Sequence, residues 1–438
     1  LISGNKLIVY TEGLHAPRVD YTTKREGLFE QGKVFVLMDE GSASASEVLA
    51  GALQDWDRAK IIGRTSFGKG LVQRPLDLSY GTQVKVTISR YYTPSGRCIQ
   101  ALDYAKKDEN GKPFIASSCQ GLGASVWWPN KDHMYDEAES MLISVNVPKG
   151  LMDISNGRLI STKPLKDNTT TYTWQVTNPI NNYGVNINIG DYVAFSEKYK
   201  GEKGELDCQY YVLRNNLAKA KKQFQDVPKM LKAFEHWFGP YPFYEDSFKL
   251  VEVPYLGMEH QSSVTYGNQF KQGYLGRDLS KTGWGLKFDF IIIHESGHEW
   301  FANNITHKDA ADMWIHEGFT AYSENIFLDY HYGTEASADY VIGTRTNIQN
   351  DKPIIGTYNV NSQGSSDMYY KGANMLHTLR QLVNDDEKWR QILRGLNKTF
   401  FHQTVSTQEI ENYLSEKSGL DLTAFFNQYL RGIKIPNL

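Results

Sequence analysis

The 438-residue chain reads as a multidomain α+β protein. Three changes of texture along the sequence predict this. Residues 1–108 alternate apolar runs with a helical stretch, as an α/β segment does. From about 126 to 205, turn signals cut the chain into short alternating stretches, the pattern of an antiparallel β region. From 209 the periodicity becomes helical, and after about 325 the chain is mainly helical.

The elements follow in order. "KVFVLMDEG" predicts a buried strand closed by Gly41, and "SASEVLAGALQDW" predicts the helix after it. "QVKVTISRYYTPSG" alternates like a half-exposed strand and ends in a Pro-Ser-Gly turn. The polar stretch 102–117, "LDYAKKDENGKPFIAS", reads as a linker, with the junction itself at 109–116. A β domain is expected over 117–205. Its strands are "MLISVNVP", "LMDISNGRLI", "TTYTWQVT" and "GVNINIGDYVAF", with Asn156-Gly157 as a hairpin turn. The last domain, 206–438, opens on the helical "LAKAKKQFQDVPKMLKAFEHWFG" and has a strand pair near 248–266. Ser406 and Glu409 form a capping box ahead of another helix.

Composition excludes several classes. The net charge is −3 and no long basic run occurs, so no nucleic-acid partner is indicated. Lys219, Lys221 and Lys222 read as a solvated helix face. Three cysteines, Cys98, Cys119 and Cys208, without a CxxC pattern, argue against a disulfide framework or a cysteine-zinc site. No apolar run approaches the roughly 18 residues of a membrane span. No signal peptide is visible, and no feature specifies an oligomeric state.

The chemistry-bearing stretch is "HESGHEW" at 294–300, on the tail of the apolar run "FDFIII". Helical residues four apart share a face, so His294 and His298 aim two imidazoles at one point. Glu295 projects beside them, near enough to reach a ligand of a bound metal without binding it. This is a zinc-protease arrangement, and zinc there needs a third protein ligand and an open position. "DMWIHEGFTAYSEN" offers Glu317, after a gap of eighteen residues from His298. Zinc held by two His and one Glu lowers the pKa of bound water to about 7. Glu295 then accepts the proton and passes it to the leaving amine. His236, His307, His316 and His377 lack ligand spacing and read as structural or exposed.

Residues from about 116 to 438 resemble the zinc aminopeptidases of the aminopeptidase N and leukotriene-A hydrolase type, the HExxH-x18-E gluzincins, and especially their bacterial members. Four motifs carry the resemblance: HESGH with "WIHEGF", "GMEH" at 257–260, "YYKGA" at 369–373, and "SSCQG" at 117–121. It implies one zinc ion on His294, His298 and Glu317, with Glu295 as general base. It also implies that Glu259 and Gln120 hold the free α-ammonium of a peptide, that the backbone at Gly257 and Met258 pairs with that peptide, and that Tyr369 stabilises the oxyanion. A carboxylate such as Glu259 selects a free N-terminus because charge-assisted bonds are strong. The implied fold is a truncated N-terminal β domain followed by a thermolysin-like catalytic domain. The chain departs from the family at His260, where an Asn is usual. The family's large C-terminal helical domain is absent or reduced. No residue supports an epoxide-hydrolase activity.

Residues 1–108 resemble a different family, the tail-specific or C-terminal-processing serine proteases, through "DEGSASASEVLAGALQD", "IIGRTSFGKG" and "SRYYTPSGRCIQ". The resemblance places a nucleophile at Ser44, a lysine base at Lys69 and Glu47 one turn past the serine. A lysine base must be neutral, which demands a desolvated site. The family's oxyanion segment lies upstream of these residues, so this part is expected to be an inactive remnant. The chain therefore reads as two protease segments joined near 108–116. The expected function is a zinc aminopeptidase acting on peptides with a free N-terminus. The alternatives are a Ser44–Lys69 serine endopeptidase and a chimera without turnover. Both resemblances imply a periplasmic or secreted address.

Overall fold

The structure, a computed structural model, describes residues 1–13, 16–77, 83–100 and 106–434. The chain divides into two units, Leu1–Tyr104 and Ala105–Leu438.

The first unit holds β1 (Leu7–Gly13), β2 (Ala16–Thr22), β3 (Phe35–Met38), α1 (Ala45–Asp55), β4 (Lys60–Gly63), β5 (Leu71–Asp77) and β6 (Gln83–Tyr92). Strands β2-β1-β6-β5 form one antiparallel sheet, while β3 and β4 form a separate parallel pair joined through α1. The expected α/β texture is present, but the expected burial of β3 is not. Phe35 and Leu37 are 55% and 79% exposed. Among the described residues β3 pairs with β4 alone, and the side chains that alternate with Val36 and Met38 face solvent with no layer over that face. The expected turn after β6 closes with the Gly96 N–H donating to Thr93 O at 2.9 Å.

The second unit begins with β7 (Lys106–Lys107) and β8 (Pro113–Ala116). The stretch read as a linker is thus structured from 106 onward; its residues 102–105 lie outside the described ones. Strand β8 is held in a sheet because Ile115 and Ala116 pair with Ile189 and Asn188. Next come β9 (Met141–Pro148), β10 (Met152–Ser155), β11 (Arg158–Pro164), β12 (Thr169–Val176) and β13 (Ile187–Gly190). They form the sheets β10-β13-β8-β7 and β11-β12-β9. Asn156-Gly157 is not a hairpin turn, since β10 and β11 belong to different sheets. Asn156 is fully buried, and its Nδ2 donates to Gly184 O and Gln261 O at 2.8 and 2.7 Å, so the chain turns a corner inward there.

Strands β14 (Tyr192–Gly201) and β15 (Gly204–Leu213) pair along their whole length. A boundary at 205/206 would cut this hairpin. Residues 209–213, expected to be turning helical, continue β15, whose far edge pairs in parallel with β16 (Phe248–Glu252). Between them lie α2 (Leu217–Gln223) and α3 (Asp226–Phe238). Strands β17 (Gly257–Met258) and β18 (Val264–Tyr266) complete the five-stranded order β14-β15-β16-β18-β17, which puts β17 at an edge. The remaining helices are α4 (Phe290–Gly297), α5 (Trp314–Tyr332), α6 (Thr334–Thr344), α7 (Tyr370–Val383), α8 (Asp386–Thr399), α9 (Thr407–Ser418) and the one-turn α10 (Thr423–Phe426). The capping box at Ser406 and Glu409 is formed at the start of α9. Trp300, Trp314 and Trp389 are fully buried in the core beneath this sheet. Among the described residues no helix is long and apolar enough to cross a membrane.

Candidate metal centre and substrate cleft

Helix α4 forms against the propensity of its three consecutive isoleucines because burial supports it: Ile291, Ile292 and Ile293 are at most 1% exposed. Its first turn is capped by Asp289, which accepts from the Ile291 and Ile292 amides at 3.1 and 3.3 Å. The helix carries His294 and ends at His298, whose ring centroids lie 5.1 Å apart. Helix α5 brings Glu317 opposite. Glu317 Oε2 stands 3.6 Å from His294 Nε2 and 3.4 Å from His298 Nε2.

Both imidazoles are oriented from behind. His294 Nδ1 donates to Glu324 Oε1 at 2.8 Å, and Glu324 is itself held by the Tyr340 hydroxyl at 2.6 Å. His298 Nδ1 lies 3.0 Å from Phe301 O and 3.0 Å from Thr320 Oγ1. Each ring therefore presents Nε2 to the same point. The three ligand atoms lie within 4.8 Å of one another, and Glu317 Oε2 is buried without a hydrogen-bond partner among the described residues. Ligands about 2.0–2.1 Å from a tetrahedral ion stand roughly 3.4 Å apart. The donor set and its spacing fit one zinc ion.

The charges agree. Burial opposes ionisation of Glu317, but His298 and His294 outweigh it and hold its carboxyl well below the usual range. Burial likewise opposes a charge on His298, yet Glu317 and Glu259 push it up to about 9. A pocket whose carboxylates stabilise positive charge attracts a divalent cation for the same reason. Glu295 is 8% exposed, and burial pushes its carboxyl up to about 7 despite His294. Its carboxylate lies within 4.8 Å of both His298 and Glu259.

The expected peptide-binding residues gather on the edge strand. Glu259 directly follows β17, is 2% exposed, and accepts from Gln120 Nε2 at 2.6 Å and the Tyr183 hydroxyl at 3.2 Å. Its backbone oxygen is tied by Asn303 Nδ2 at 2.8 Å. Gly257 and Met258 pair with Tyr266 and Thr265 on one side of β17. A Cβ at Gly257 would stand 2.7 Å from Ile291 Cγ2 and 3.2 Å from Glu295 Cγ, so only glycine lets the strand lie this close to α4. His260 is fully buried, with Nδ1 3.3 Å from Thr265 Oγ1.

Tyr369 immediately precedes α7 and stacks on His294 at 5.9 Å. Glu317, and then burial, raise its hydroxyl pKa and so keep it protonated. It reaches the site because α7 packs on α5 nearly backbone to backbone: a Cβ at Gly372 would meet Gly318 Cα at 2.8 Å.

The structure thus brings together His294, His298, Glu317, Glu295, Glu259, Gln120 and Tyr369. Sequence reasoning missed Tyr183, Asn303, Thr320, Glu324 and Tyr340. Thr320 and Glu324 had a signal, since they stand three and seven residues past Glu317 on one helix face. Tyr183 and Asn303 had none.

Ser44 and Lys69 lie in the other unit. Ser44 precedes α1 with φ 56°, and its N–H donates to Glu47 Oε2 at 2.7 Å. Glu47 also accepts from the Gly68 and Lys69 amides at 2.5 and 2.9 Å, drawing that loop against the helix start. The Lys69 residue is exposed.

Comparison with known proteins divides the chain in the same way. Residues 1–106 match the model of peptidase family S41, and residues 223–429 match that of the peptidase family M1 domain. A leukotriene A-4 hydrolase from Xenopus laevis is 25% identical over 387 residues, which are 83% of this chain and 60% of that protein. A carboxyl-terminal-processing protease from Synechocystis is 39% identical over 109 residues, 25% of this chain and 25% of that protein. The chain thus spans about three-fifths of the first relative and a quarter of the second. An M1 zinc metallopeptidase from Deinococcus radiodurans, crystallised with a Tyr-Ser-Ala substrate, shares the fold with a TM-score of 0.64 at 19% identity, over 84% of this chain and 85% of that one.

Proposed function

We propose that the unit Ala105–Leu438 is a zinc aminopeptidase that removes N-terminal residues from peptides. The observation that carries this is the convergence of His294, His298 and Glu317 beside a buried carboxylate, Glu259, on an edge strand. His294, His298 and Glu317 would hold the zinc ion, which when bound polarises the scissile carbonyl and lowers the pKa of water. A peptide entering along β17 finds the unpaired edge of Gly257–Met258 and adds to it as a strand. Its α-ammonium meets the buried carboxylate of Glu259, and an internal peptide bond has no ammonium to offer. Gln120 and Tyr183 orient that carboxylate. Glu295 is the group placed to take a proton from attacking water and return it to the leaving amine, and a carboxyl near pH 7 suits both tasks. Tyr369, kept protonated by Glu317, donates to the oxygen that gains charge.

The test uses unblocked aminoacyl fluorogenic amides, with and without a zinc chelator. Turnover that disappears on chelation and returns with zinc is expected. Full retention of turnover by Glu295→Gln with zinc still bound would sink the assignment. The alternative Ser44–Lys69 endopeptidase has less support, because the exposed Lys69 lacks the desolvation a neutral lysine base needs. A periplasmic or secreted address belongs to the same reading and rests on the two resemblances.

A further inference from the structure

Glu259 and the metal-ligating helix belong to different elements, and one hydrogen-bond network joins them. After His298 the chain leaves helical geometry at Phe301 and Ala302, and the Asn303 N–H returns to His298 O at 3.0 Å. This break brings Glu299 and Asn303, both buried, against the segment that follows β17. Asn303 Nδ2 donates to Glu259 O at 2.8 Å and to Glu299 Oε1 at 3.0 Å. A carbonyl and a carboxylate oxygen can only accept, and this fixes which end of the Asn303 amide faces them. Glu299 Oε1 also accepts from the Ser262 N–H at 3.0 Å, and Glu299 Oε2 accepts from the Tyr241 hydroxyl at 2.6 Å. Ser262 has φ 53°, in the left-handed region that serine rarely adopts. Its bond to Glu299, and the Gly157 N–H donated to its hydroxyl at 2.9 Å, support the turn beyond Glu259 in that conformation. Gln120 and Tyr183 therefore hold the Glu259 carboxylate, while Asn303 and Glu299 hold its backbone.

We propose that Glu299 and Asn303 are positioning residues that fix Glu259 relative to the zinc ligands, so that the ammonium and the scissile carbonyl of one substrate residue are engaged together. This rests on the aminopeptidase reading above. The link runs through the chain that carries His298, so the ammonium anchor keeps its register with the metal helix. Removing the Asn303 amide frees the Glu259 backbone and leaves His294, His298, Glu317 and Glu295 untouched. Binding of the free N-terminus then suffers before the chemistry does.

The measurement combines kinetics on an unblocked alanyl fluorogenic amide with calorimetric titration of L-tryptophan, both on the zinc-loaded full chain. Asn303→Ala is expected to raise KM about three- to tenfold, to leave kcat within about twofold of the parent, and to weaken L-tryptophan by the same factor as KM. Glu299→Gln keeps an oxygen for Ser262 and Asn303 and is expected to match the parent. Glu299→Leu keeps none and is expected to repeat the Asn303→Ala effect. Unchanged KM and L-tryptophan affinity in Asn303→Ala would overturn the assignment, and so would a fall in kcat at constant KM. If Asn303→Ala does not fold, Asn303→Leu, close to asparagine in volume, takes its place. Failure of both to fold would make Asn303 a purely structural residue and overturn the assignment as well. Absence of turnover by the zinc-loaded parent would defeat the aminopeptidase reading instead. The titration then decides the positioning role alone: weaker L-tryptophan binding in the variant supports it, and equal or absent binding overturns it.

Discussion

Two parallel strands, one from each unit, have opposite fates. In the unit Leu1–Tyr104, Phe35–Met38 has one neighbouring strand among the described residues, and Phe35 and Leu37 are 55% and 79% exposed. In the unit Ala105–Leu438, Phe248–Glu252 has β15 on one edge and β18 on the other, and all five of its residues are buried. Parallel strands are stable where both faces are covered. The consequence reaches the chemistry. In the second unit, burial shifts Glu295 and lets the surrounding charges act at short range. In the first, Lys69 is exposed.

The contrast can be broken or sharpened by substitution. The largest effect is expected from Glu295→Gln, which should lower kcat by about a hundred- to ten-thousandfold while metal analysis still finds one zinc. If Ser44→Ala produced a comparable loss, the division of labour between the units would be wrong; no change in turnover is expected from it. Next comes the core. Phe234, fully buried against Trp300, should cost about 3–5 kcal/mol when replaced by Ala, read from denaturant unfolding of the second unit. Glu324→Gln removes the charge behind His294 and should weaken zinc about ten- to a hundredfold in a competition titration, with the fold retained. The smallest effect belongs to Leu37→Ser, expected within about 0.5 kcal/mol of the parent by the same unfolding measurement. A loss near that of Phe234→Ala would mean this strand is covered after all.

Much of this was legible from local pattern. The pair His294 and His298 needs only helical spacing, and Glu317 was recognisable from its own helix. The capping box at Ser406 is a four-residue signal, and Ser44 before a helix is equally local. The burial of 35–38 and the turn at Asn156-Gly157 were not legible. An apolar run states that a strand wants cover, without stating whether a second strand arrives. Likewise "NG" permits a tight turn but does not say which sheets its flanking strands join. Here β10 and β11 part company because the Asn156 side chain is drawn to Gly184 and Gln261, up to 105 residues away.

The sequence by itself determined which groups could bind a metal and move a proton, because those depend on residue type and on spacing within one helical turn or two. Tertiary structure alone decided that these groups meet. Glu259 reaches Glu295 because Gly257 has no side chain to keep the edge strand off α4, and Tyr369 reaches His294 because Gly372 lies against Gly318. Tyr183 and Gln120 join Glu259 across 76 and 139 residues of chain, distances over which no periodicity survives and only packing can specify a contact.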